Sequence, residues 1–231
     1  MTIAKFKFEI ISVFVIIAVY FFLRTLFLDR LPIFTDEAIY VRWAQIASND
    51  AAWRFISLTD GKQPLFIWIS IIFMRIIDDP LLAVRSVSVM SGIFSMVGLF
   101  LLSLELFKKR SIAFISVVLY VFYPFAQVYD RMALYDSLLG AFMVWAIYFT
   151  VLLVRKVRLD IAYTLGFIIG GALLNKSSGI FSAYLMPIAL ILGDFKTLRD
   201  PRFLIKFALL ALFAFAISQG LYSVLRLSPF F

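Results

Sequence analysis

The sequence predicts an all-α fold: a multi-span transmembrane helix bundle with juxtamembrane helices in its first outer loop. Three observations carry that expectation. Sixty-four per cent of the 231 residues are apolar and only 16% are charged, whereas charged residues make up about a quarter of a soluble domain. Apolar runs recur from Ile10 to Leu225, so no stretch is long and polar enough for a separate soluble domain, and a single membrane domain over 1–231 is expected. The basic residues, finally, cluster in short loops between the apolar runs.

A span needs about 20 apolar residues to cross roughly 30 Å of hydrocarbon. Residues 10–28, 87–104, 111–129, 138–154 and 203–225 satisfy this, with allowance for tilt. The run 65–77 is too short and reads as an interfacial or re-entrant helix. Runs 161–174 and 180–192 are also short, and they flank the polar tip Asn175-Lys176-Ser177-Ser178-Gly179. Gly166-x-x-x-Gly170 lies in the first of them, a weak signal for close helix approach.

Lys and Arg in short loops stay on the cytoplasmic side, which fixes parity. The clusters are Lys5/Lys7, Lys108-Lys109-Arg110, Arg155-Lys156-Arg158 and Lys196/Arg199/Arg202/Lys206. Placing all of them inside requires that 65–77 not cross and that 161–192 form a hairpin whose tip reaches the outer side. The outcome is about six spans, counted as seven apolar helices of which one pair is short, in the plasma membrane with a cytoplasmic N-terminus. Asp36, Glu37, Asp50, Asp60, Asp78, Asp79, Asp130 and Asp136 then gather on the outer face. Lys5 and Lys7 precede the first run as in a signal peptide, but the run continues to Leu28 without a small-residue cleavage site, so a retained first span is expected.

The excess of 22 Lys+Arg over 14 Asp+Glu would suggest nucleic acid in a soluble protein. Here it is a topology signal, and membrane lipids rather than nucleic acid are the expected partners. There is no Cys, which excludes disulfides and thiolate chemistry, and no His, which removes the commonest general base and a favoured zinc ligand. Proton transfer falls to carboxylates, Lys or Tyr. A divalent metal stays open as a cofactor, without a His-based site.

The first outer loop is the most informative stretch. Residues 36–47 carry Ile39, Trp43, Ile46 and Ala47 at helical spacing, which predicts an amphipathic helix lying in the interface, with Thr35 as its N-cap. Asp36 and Glu37 then occupy the first turn. They either complement the helix dipole or supply a general base at the membrane surface. Asp60-Gly61-Lys62-Gln63-Pro64 turns on Gly61 and starts the 65–77 helix near Pro64. Lys62 is either a snorkelling surface lysine or a contact for a lipid phosphate. Asp136 opens a long apolar run, with Arg131 its nearest partner in sequence, and ionisable residues at a membrane edge are usually paired or functional.

The ordered set Asp36-Glu37 with Tyr40, Lys62-Gln63-Pro64-Leu65 with Trp68, Arg85, Leu106-Phe107 before a basic turn, Arg131 with Asp136, and Asn175-Lys176 before small residues resembles the GT-C membrane glycosyltransferases. It is most similar to the bacterial branch of protein O-mannosyltransferases and the aminoarabinose transferase of lipid A. The resemblance covers about residues 10–225. It implies hexosyl or pentosyl transfer from a polyprenyl-phosphate-linked sugar donor to an acceptor hydroxyl at the outer membrane face. Asp36, with Glu37 beside it, would be catalytic, while Tyr40, Lys62, Arg131, Asp136 and Lys176 would bind substrate. The sequence departs from the family in reading Lys62-Gln63-Pro64 for a lysine-proline-proline stretch. It is also shorter than the family's usual length, so the N-terminal part of a longer enzyme is expected. The alternatives are a transporter or lipid-headgroup-binding protein, and an inactive fragment.

Overall fold

The computed structural model describes residues 3–192 and 199–230. They form an all-helical membrane bundle, with no strand among the described residues. The helices are α1 (Ile3–Thr25), α2 (Thr35–Asn49), α3 (Leu65–Met74), α4 (Pro80–Phe107), α5 (Arg110–Phe122), α6 (Pro124–Tyr129), α7 (Tyr135–Lys156), α8 (Leu159–Asn175), α9 (Phe181–Ile188) and α10 (Pro201–Tyr222). Short 3₁₀ turns at Ile56–Asp60 and Ser177–Ile180 matter for the site. Pro80–Phe107, Tyr135–Lys156 and Pro201–Leu227 are each long and apolar enough to cross a membrane. Leu209, Leu212 and Leu119 lie more than half exposed on the bundle's outside. Such side chains would be a liability in water and are ordinary in contact with lipid.

Local chemistry explains where the helices begin and break. Asp79 and Asp200 each accept a hydrogen bond from a first-turn amide, Leu82 N at 2.8 Å and Arg202 N at 3.0 Å, and a proline follows each at the first helical position. The apolar stretch 111–129 is helical but interrupted: α5 stops at Phe122, Tyr123 is extended, and Pro124 opens α6. Proline lacks an amide hydrogen and disfavours a helical residue before it. One carbonyl freed by the break, that of Val121, accepts from the buried Arg24 Nη1 at 3.0 Å.

Helices α8 and α10 close on each other through the small-residue motif. A Cβ added at Gly166 would lie 2.7 Å from the Ala214 carbonyl oxygen, and one at Gly170 would lie 2.6 Å from Leu221 Cδ1. Only glycine permits that approach.

Asp130 is 1% exposed. It accepts hydrogen bonds from Arg24 Nε at 3.2 Å, Tyr120 OH at 3.1 Å and Ser137 Oγ at 2.9 Å. The expected outer-loop carboxylate is therefore an internal tie between α1, α5 and α7. Gly92 of α4 makes room for it, since an added Cβ would meet Asp130 Oδ2 at 2.6 Å.

The two ends of the bundle differ in charge. At one end Glu105 pairs with Lys108 and Arg155, at 2.8 and 2.7 Å, and Glu9 pairs with Arg110 at 2.6 Å. The basic turns after α4 and α7 thus lie together. The side chains of Lys5 and Lys7, and all of Lys196, fall outside the described residues. At the other end the starts of α2 and α7 meet the end of α8, and there the candidate site forms.

Candidate functional site

Helix α2 buries Glu37, Tyr40, Ala44 and Ala47, one face at helical spacing. Its cap is Phe34 rather than Thr35: Glu37, three residues on, reaches back to accept the Phe34 amide at 3.0 Å. The remaining capacity of Glu37 is filled from elsewhere. Arg85 donates through Nε and Nη2, both at 2.9 Å, and the Ala133 amide donates at 2.6 Å. The side chains of Glu37 and Arg85 are both fully buried. Arg85 also donates to the carbonyls of Leu28, at 2.6 Å, and Leu31, at 3.2 Å. Burial pushes the Glu37 carboxyl up, but the bonds from Arg85, Ala133 and Phe34 outweigh it and hold the group below the usual carboxylate range. Glu37 is an ionised tie between α2, α4 and the turn before α7, with no face left for a substrate.

Asp36 is adjacent in sequence and half-buried. It lines a cavity of about 280 Å³, near the lower end of ligand-site volumes, about 300–1,000 Å³. That volume suits a monosaccharide headgroup rather than a lipid tail. Asp36 and Tyr40 come from α2, Lys62 and Gln63 from the turn before α3, Tyr135 and Asp136 from the start of α7, and Asn175 to Ser178 from the end of α8. A larger crevice of about 890 Å³, lined mainly by apolar side chains of α1 and α5, lies at the opposite end beside Lys109 and Arg110.

Backbone geometry sets the charged groups in place. Gly61 is left-handed at φ 67°, and with the Gly61 and Lys62 amides donating to Leu58 and Ser57 carbonyls, at 3.0 and 2.9 Å, the chain turns to bring Lys62 to the cavity. Gly179 allows the Ser177–Ile180 turn to lie directly on α8, since a Cβ there would sit 2.3 Å from the Ala172 carbonyl. Asp36 and Asp136 both occupy first helical turns, where amide dipoles favour negative charge. Tyr40 OH donates to Asp36 Oδ2 at 3.4 Å. Burial and the charges of Asp36 and Asp136 push the Tyr40 hydroxyl up to about 12, so it stays a protonated donor. Lys176 Nζ donates to Asp136 Oδ1 at 2.7 Å, and both side chains are more than 40% exposed. Lys62 makes no ion pair with any described residue.

The structure therefore brings together Asp36, Tyr40, Lys62, Asp136 and Lys176, and leaves Glu37 and Arg131 outside. Arg131 does not meet Asp136; its Nη2 donates to the Leu26 carbonyl at 2.7 Å, tying the turn before α7 to the end of α1. Gln63, Tyr135 and Asn175 join the cavity without having been singled out as site residues. A buried amide beside a lysine at the end of an apolar run was the available signal for Asn175. No group of three or more acidic side chains comes together among the described residues. A divalent cation in the cavity would have Asp36 and Asp136 as its charged ligands.

Residues 61–218, more than half of the chain, match the family model described as dolichyl-phosphate-mannose-protein mannosyltransferase. The chain belongs to this family. It is a membrane glycosyltransferase of the GT-C type, using a polyprenyl-phosphate-linked sugar donor. The mannosyltransferase match takes in Lys62, Asp136, Asn175 and Lys176, while Asp36 and Tyr40 precede it and meet those residues only through the fold. No curated protein and no solved structure matches the chain.

Proposed function

We propose that the cavity between α2, α7 and α8 is the catalytic site, and that it transfers a hexose from the polyprenyl-phosphate donor to an acceptor hydroxyl on the outer face of the membrane. One observation carries the reading: a half-exposed carboxylate, Asp36, shares a monosaccharide-sized cavity with two lysines. Lys62 has no ion-pair partner among the described residues, so it contributes an uncommitted positive charge for the carrier phosphate. Lys176 supplies a second, because an exposed ion pair is worth little and opens readily from Asp136. The acceptor oxygen bonds to the anomeric carbon as the carbon–oxygen bond to phosphate breaks. The electron pair stays on the carrier phosphate beside the lysines, and the acceptor proton passes to Asp36. Tyr40 orients that carboxylate. A single displacement inverts the anomeric centre. The mannosyl donor in the family's description favours a hexose over a pentose.

The outer placement rests on the opposite end carrying the basic turns. Single cysteines at the exposed Thr59 and Ser111 in this cysteine-free chain test it with a membrane-impermeant thiol reagent. Labelling in intact cells is expected at 59 alone, and labelling at 111 alone would reverse the orientation.

The donor role of Lys62 is tested by Lys62→Met. The substitution is expected to weaken binding of sugar-free polyprenyl phosphate about tenfold or more, the scale of one charge-assisted contact. Unchanged binding assigns the phosphate elsewhere.

A further inference from the structure

Among its described side chains, helix α1 buries only those near the outer face. Tyr20 and Arg24 are fully buried there: Tyr20 OH donates to the Val89 carbonyl at 2.7 Å, and Arg24 reaches Asp130 and the Val121 carbonyl. Gly92 of α4 permits that approach, since an added Cβ would collide with the Tyr20 hydroxyl. Toward the other end the helix stands away from the bundle. From Glu9 to Val19 no side chain is buried, and Ile11 and Phe14 are 59% and 69% exposed.

Between this half of α1 and helices α4 and α5 lie crevices of about 890, 550 and 210 Å³. Phe114 lines all three, and Phe100 stacks against it edge to face at 5.2 Å. Unfilled, such space forfeits the van der Waals contacts of its walls. A helix cannot close on it as α10 closes on α8, because α1 has no glycine between Glu9 and Val19. What fits an apolar slot in a bilayer is a hydrocarbon chain.

The largest crevice ends at Glu9, Lys109, Arg110 and Ser111. Charge there is unbalanced. Glu9 is taken by Arg110, and Glu105 by Lys108 and Arg155. Lys109 is exposed and makes no ion pair with any described residue. No acidic side chain occupies the first turn of α5 to compete for it. An uncommitted lysine at the mouth of an apolar slot selects a headgroup with net negative charge. The phosphate of a zwitterionic headgroup brings its own ammonium, which Lys109 repels.

We propose that the crevice between α1 and α5 binds an anionic glycerophospholipid of the inner leaflet, with an acyl chain along Phe114 and Val118 and the phosphate on Lys109. Basic pockets between transmembrane helices on the cytoplasmic side recognise anionic lipid headgroups in this way. The site lies at the opposite end of the bundle from Asp36 and does not depend on the transfer chemistry.

The test is equilibrium binding of dioleoyl phosphatidylglycerol and dioleoyl phosphatidylcholine to the purified 231-residue chain in detergent, read by native mass spectrometry. Phosphatidylglycerol is expected to bind about fivefold or more tightly, the scale of one uncommitted basic residue. Lys109→Gln should bring that ratio close to one and keep the phosphatidylcholine affinity. Ile115→Trp, which fills the crevice, should weaken both lipids, whereas Leu119→Trp, on the same helix but outside the crevice, should weaken neither. Equal affinity of the unmodified chain for the two lipids overturns the proposal and leaves only the ordinary lipid surround. A ratio unmoved by Lys109→Gln overturns it as well, as does equal weakening by Leu119→Trp. So does sugar-free polyprenyl phosphate displacing phosphatidylglycerol from the Lys62→Met variant and binding there more tightly, which would give the crevice to the carrier. If Ile115→Trp fails to fold, Lys109→Gln decides, since that side chain is exposed.

Discussion

Asp36→Asn is expected to lower kcat by about 10²–10⁴-fold, the usual contribution of a general base, while the protein keeps its thermal stability and its affinity for sugar-free carrier. Asparagine matches the carboxylate in shape and can still take the Tyr40 hydrogen bond, so what disappears is the capacity to receive a proton. The control is Asp50→Asn at the far end of the same helix. That carboxylate accepts only the Ala52 amide, at 2.9 Å, in an exposed turn, and its loss costs about 1 kcal/mol at most. Transfer from a labelled polyprenyl-phosphate sugar, measured for both variants, separates the readings. Equal rates would reduce Asp36 to a charge at a helix end.

Glu37→Gln, one residue away, is expected to fail differently. It neutralises one partner of a fully buried pair and leaves the Arg85 guanidinium uncompensated, a change that costs about 3–5 kcal/mol in comparable buried pairs. Lower yield and a lower Tm in detergent should result, with the surviving folded fraction keeping kcat. A normal Tm with lost kcat would instead make Glu37 the base. The pH dependence follows the same carboxyl. Because its folded value is depressed, the stabilisation is present above the ordinary carboxylate range and is lost as pH falls through the folded value. The Glu37→Gln variant should lack that acid-side slope.

The all-helical membrane bundle was legible because composition excludes every other solvent for these runs. The charged side of the site was legible because ionisable residues are rare here, and Asp36, Lys62, Asp136 and Lys176 stand out against apolar neighbours. Which of them pair was not. Arg131 is five residues from Asp136 and Lys176 is forty, yet the nearer cation turns back to Leu26 and the farther one closes the pair. Asp36 and Glu37 were indistinguishable by type and separate only because the buried face of α2 includes position 37. Gln63 and Asn175 stood only within the stretches Lys62-Gln63-Pro64-Leu65 and Asn175-Lys176, with no role of their own. The stretch 111–129 was read as one span, and the break at Tyr123 was missed although the following Pro124 disfavours a helical residue before it.

The Gln63 amide meets the Tyr222 hydroxyl across 159 residues of chain, and Glu37 meets the Ala133 amide across 96. At synthesis rates of about 5–20 residues per second, the first of these contacts waits roughly ten to thirty seconds after Gln63 leaves the ribosome. A nascent chain halted before Ala133 lacks the amide that donates to Glu37, and one halted before Lys176 leaves Asp136 without its partner. The cavity needs residues as late as Ser178, so it is completed well after its proposed base at Asp36 has emerged.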